Sequence, residues 1–91
     1  MNGIKDEIAV SIMRTVDFFQ EVMKNSQEKE SKETNAIFAE INRNMADAAL
    51  KNLALIYDLN TEQLEKTYAQ SILMDNEMEI SWRIKAIKSL G

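Results

Sequence analysis

Asp58-x-Asn60-x-Glu62 sets three oxygen-bearing side chains at alternate positions, the spacing with which a calcium-binding loop begins. The rest of such a loop is missing. Gln63 stands at the sixth place, where the sharp turn needs glycine, and Ala69 at the twelfth, where a bidentate glutamate should close the shell. The chain has no histidine and no cysteine, which removes imidazole and thiolate metal sites, His-based triads, disulfides and a histidine pH switch. Carboxylates, lysines, Ser11 and two tyrosines remain. None lies in a glycine-rich phosphate loop or a nucleophile elbow, because the two glycines are Gly3 and Gly91. A chain of 91 residues also has little bulk to enclose a ligand pocket of several hundred cubic ångströms. The expectation is a non-enzymatic protein without metal or cofactor.

A second pattern, Leu53-Ala54-x-x-Tyr57-Asp58-Leu59-x-x-x-x-Leu64, has the spacing of a helix-turn-helix. Asp58 replaces the usual glycine of the turn, and the would-be recognition helix from Thr61 to Gln70 carries Glu62 and Glu65 against a single Lys66. A groove-reading helix must lay its polar face against phosphates, and a net charge of -4 works against that. A DNA-binding regulator therefore stays as an alternative and an ordinary capped corner is preferred. The acidic groups Glu28, Glu30, Glu33 and Asp75, Glu77, Glu79 read as solvated faces.

The elements that would position any site are helical. Proline is absent and no glycine is internal, so the turn chemistry of a sheet protein is missing. Ile4, Ile8, Ile12, Val16, Phe19 and Met23 form one stripe on a first helix, widened by Met13, Phe18 and Val22. Residues 24–35 carry no apolar side chain and read either as a polar linker or as a solvated helix extension, in which Glu28 and Lys32 would pair. A second helix over residues 36–59 turns Phe38, Ile41, Met45, Ala48, Ala49, Leu53 and Ile56 inward. Asn60 then caps a third, with Gln63 placed for a capping box and Leu59 and Leu64 for a hydrophobic staple; it is expected to run to about Met74.

Asp75 to Lys85, DNEMEISWRIK, alternates apolar and polar residues like a strand, yet a lone strand has no ladder partner. As a helix capped at Asp75 or Asn76 it aligns Ile80, Ile84 and Ile87 and ends at Gly91. The helical reading is preferred. It turns Met78 and Trp82 away from the isoleucines, making an apolar pair with Arg83 and Lys85 on its rim, the composition of a protein-binding centre. The bland alternative is that Trp82 fills the core.

The resulting expectation is an all-α fold: one domain over residues 1–91, a small bundle of about four helices completed by dimerisation, since so short a chain covers its apolar stripes poorly alone. Its function would be protein–protein interaction as an adaptor or inhibitor of the kind phages and mobile elements encode. Met78, Trp82, Arg83 and Lys85 would bind the partner. A structural helical oligomer is the other alternative. The longest unbroken apolar run, Leu53 to Tyr57, is far short of the roughly 20 residues of a membrane span, and the N-terminus lacks a signal pattern. A soluble cytoplasmic protein is expected.

Overall fold

The structure, a computed structural model, describes residues 3–27 and 31–91. Among these the chain forms α1 (Gly3–Gln27), α2 (Lys32–Tyr57), α3 (Thr61–Glu65), α4 (Ala69–Leu73) and α5 (Ile80–Leu90), with no strand. The fold is all-α, as the missing glycine and proline imply.

α1 and α2, of 25 and 26 residues, pack against each other as an antiparallel hairpin, with Asp6 beside Tyr57 at one end and Gln20 and Met23 beside Asn42 further along. At 1.5 Å per residue each is roughly 38 Å long, most of the 46 Å long axis of the molecule. Both ends of the polar stretch 24–35 prove helical. Lys24 to Gln27 complete α1 and Lys32 to Asn35 open α2 behind Ser31, whose hydroxyl accepts from the Thr34 amide at 3.2 Å. Residues 28–30, and with them the Glu28 half of the expected ion pair, lie outside the described residues.

The inward phase of α1 differs from the expected one. Ala9, Met13 and Val16 are buried, whereas Ile4 and Ile8 are 74% and 45% exposed. Two apolar stripes lie side by side on this helix, one residue apart in register, and the one bearing Ala9 turns toward α2. The reason lies in size: α2 buries Ala46, Ala49 and Ala54, and small side chains on both helices let the backbones approach. Ala48 and Ile41, expected inside, are exposed. The core adds Leu50 and Leu53 from α2 and Leu64, Ala69, Leu73, Ile84 and Ile87 from α3, α4 and α5.

α2 ends at Asp58, which adopts the left-handed conformation (φ 55°, ψ 49°) while the Leu59 amide donates back to the Ala54 carbonyl at 2.9 Å. Asn60 caps α3 as expected, its Oδ1 accepting from the Gln63 amide at 3.2 Å. The expected long third helix is instead two short ones. The Lys66 and Thr67 amides bond three residues back, and the Thr67 hydroxyl also donates to the Leu64 carbonyl at 2.9 Å. The break changes the phase. An unbroken helix would share one face among Leu64, Tyr68 and Ile72, but the buried residues are Leu64, Ala69 and Leu73, and Tyr68 swings out.

The stretch Asp75 to Lys85 is a turn followed by a helix. Asp75 spends its carboxylate on the Glu77 amide at 3.2 Å and its carbonyl on Met78, so the helix starts at Ile80, later than the expected cap. Within α5 the predicted stripe is inward: Ile84 and Ile87 are buried and Ile80 is half-buried. α5 packs on α1 and α4, α4 on α2, and α3 touches α2, α4 and α5, so the three short helices cover one side of the hairpin.

Candidate functional site

Of the four residues expected to bind a partner, Arg83 takes a different place. Its side chain is 1% exposed, because its position next to Ile84 on α5 faces α1. Nη1 and Nη2 donate to Asp17 Oδ1 and Oδ2, both at 2.7 Å, and Nη1 also donates to the Leu73 carbonyl at 3.0 Å. The planar fork of a guanidinium matches a carboxylate in this two-bond geometry, which lysine cannot reproduce. Arg83 is thus an internal tie between α1, α4 and α5, and the reading of it as an exposed rim is corrected.

The other three stay outside. Trp82 is 60% exposed and lies under the Lys85 ammonium, 5.3 Å from the ring centroid, a cation–π arrangement at the surface. Met78 is in the turn ahead of α5 and 36% exposed. The reading of Trp82 as core filler is thereby excluded for the single chain.

A larger surface was not anticipated. On α1, Ile4, Ile8, Ile12, Thr15, Phe19 and Val22 follow one another at steps of four and three; on α2, Ile37, Ile41, Met45, Ala48, Asn52 and Leu55 repeat the same steps. From Ile8 and from Ile41 onward the fours and threes alternate, a period of 3.5 residues, the spacing of a helix–helix seam. Both stripes turn away from α3–α5. Ile4, Ile8, Val22, Ile37, Ile41 and Leu55 are between 41% and 81% exposed, and Ile12, Phe19 and Met45 are half-buried. Between the stripes runs a groove of about 250 Å³ with Ile12, Thr15 and Val16 on one wall and Met45, Ala48, Ala49 and Asn52 on the other. No member of either stripe is charged, in a chain that is 29% charged. The available signal was that each long helix carries two adjacent apolar stripes, of which α3–α5 and the hairpin itself cover only one.

The hairpin's opposite flank is polar and already occupied. Tyr57 donates its hydroxyl to Asp6 at 2.5 Å, with Lys88 4.6 Å from its ring centroid. Partial burial, and then the Asp6 carboxylate as hydrogen-bond acceptor and as a negative charge, push the Tyr57 phenol above its ordinary range. The group therefore remains a neutral donor, which is a structural role.

The segment considered as a recognition helix, Thr61 to Gln70, is interrupted after Glu65, and Glu62 and Glu65 lie on its exposed side. Among the described residues no three acidic side chains gather closely enough to hold a metal ion, and no helix is long and apolar enough to cross a membrane. Compared with protein-family models, curated proteins and solved structures, the chain matches none.

Proposed function

We propose that this chain is a non-catalytic protein-interaction module of the cytoplasm, an adaptor or inhibitor that works through helical surfaces. The observation that supports the reading best is the uncharged apolar side of the α1–α2 hairpin. A contiguous apolar patch of a few hundred square ångströms is about the largest a soluble monomer ordinarily exposes, and such a patch is often a functional contact surface. Exposed Trp82, with Met78 and Lys85, adds a second and smaller point of contact on the other side of the molecule, of a residue type that anchors interfaces.

Affinity capture compared between the wild-type chain and an Ile8→Glu variant tests the reading. Ile8 is exposed, so the substitution leaves the core intact while placing a charge in the seam. Association of the wild type, with itself or with a captured protein, that the variant loses is the expected result. A wild type that associates with nothing, or that associates equally well after Ile8→Glu, contradicts it.

A further inference from the structure

We infer that the occupant of the uncharged α1–α2 side is a second copy of this chain, the two hairpins closing face to face into a four-helix arrangement with α3–α5 on the outside. The inference rests on the interaction-module reading and adds the identity of the partner.

Three observations favour a second copy. The first is charge. In a two-fold dimer the same patch meets itself, so a charge near the axis meets its own like charge. An acidic chain can meet itself without that cost where a side carries no charge, and these two stripes carry none from Ile4 to Val22 or from Ile37 to Leu55. The second is period. From Ile8 to Val22 and from Ile41 to Leu55 the open stripes keep the 3.5-residue spacing with which helices of a bundle interlock, and the groove of about 250 Å³ between them, lined by Ala48 and Ala49, can receive side chains. The third is area. Fully burying an aliphatic side chain removes on the order of 100 Å² from water. At the exposures given above, the open side chains with the half-buried ones between them offer roughly 450 Å² per copy. A stable interface buries roughly 800 Å² per partner, of which about 65%, roughly 520 Å², is apolar between identical subunits, so the open stripes supply most of the apolar area such a dimer needs.

Ala48 lies midway along the α2 stripe, on the groove wall, and is exposed in the single chain. Ala48→Glu therefore sets a charge at the centre of the proposed contact and removes nothing from the core. Sedimentation equilibrium of the wild type from micromolar concentration upward should return twice 10.4 kDa, and Ala48→Glu should raise the dimer dissociation constant by about 100-fold, the order of effect of an unpaired charge at an interface. Helical circular dichroism of the variant at low concentration should match that of the wild type, which separates lost association from lost folding. A wild type of 10.4 kDa at every concentration overturns the second copy. If that monomer still captures another protein through the Ile8 side, the interaction-module reading survives without it; if it captures none, both fall. A dimer indifferent to Ala48→Glu also overturns the inference, because the copies then meet elsewhere.

Discussion

Arg83 joins three helices through one side chain: Asp17 on α1, the Leu73 carbonyl at the end of α4, and its own position on α5. A buried guanidinium stripped of its carboxylate keeps the desolvation cost and loses the compensation, so removing one partner of such a pair costs about 3–5 kcal/mol. Because the Asp17 side chain keeps 28% of its surface in water, the lower end applies, and Asp17→Ala should destabilise by about 3 kcal/mol. Urea unfolding gives the number, and a loss under about 1 kcal/mol would show that the tie is only cosmetic. Trp82, one residue away, behaves in the opposite manner. With 60% of its surface open, Trp82→Ala should change stability by no more than about 0.5 kcal/mol, and the emission of the native tryptophan should be red-shifted and quenched by iodide. Blue-shifted, protected emission would place the ring in an interface or a core. Adjacent residues of α5 thus have unrelated roles, and residue type misleads about Arg83. An arginine among solvent-facing charges reads as a rim, and its partner lies 66 positions away, beyond the reach of any spacing rule.

At the scale of elements, the signals that proved reliable are local and chemical. Asn60 caps α3 because a short side-chain oxygen two residues past a left-handed Asp58 meets the Gln63 amide, and Ile80, Ile84 and Ile87 face inward because α5 offers no competing stripe. Asn60→Ala should cost on the order of 1 kcal/mol, read from the denaturation midpoint, since it leaves that amide without its acceptor. An unchanged midpoint would mean that packing of Leu64 alone starts the helix. Elsewhere periodicity fell short for physical reasons. α1 has two adjacent stripes, and which one turns inward is decided by the alanines of α2, a property of the pair of helices. The break between α3 and α4, where the Lys66 and Thr67 amides bond three residues back, leaves no mark on the apolar pattern. The later start of α5 comes from the Asp75 turn.

At the scale of the whole molecule, three short helices cover one side of a long hairpin and leave the other side bare. α3, α4 and α5, of 5, 5 and 11 residues, all pack on the same side of the hairpin. The all-α class was legible in the missing proline and internal glycine; the open apolar side was not, because it is defined by what α3–α5 fail to reach. The two open stripes, with Ala48 at the middle of one, are the feature on which the account depends. Mixing tests it most directly. Ala48→Glu and Ala48→Lys chains, each monomeric alone at a concentration where the wild type dimerises, should combine in equal amounts into a species of twice 10.4 kDa, as opposite charges meet across the shared side. A mixture that stays at 10.4 kDa while the wild type dimerises would contradict the face-to-face pairing of the hairpins.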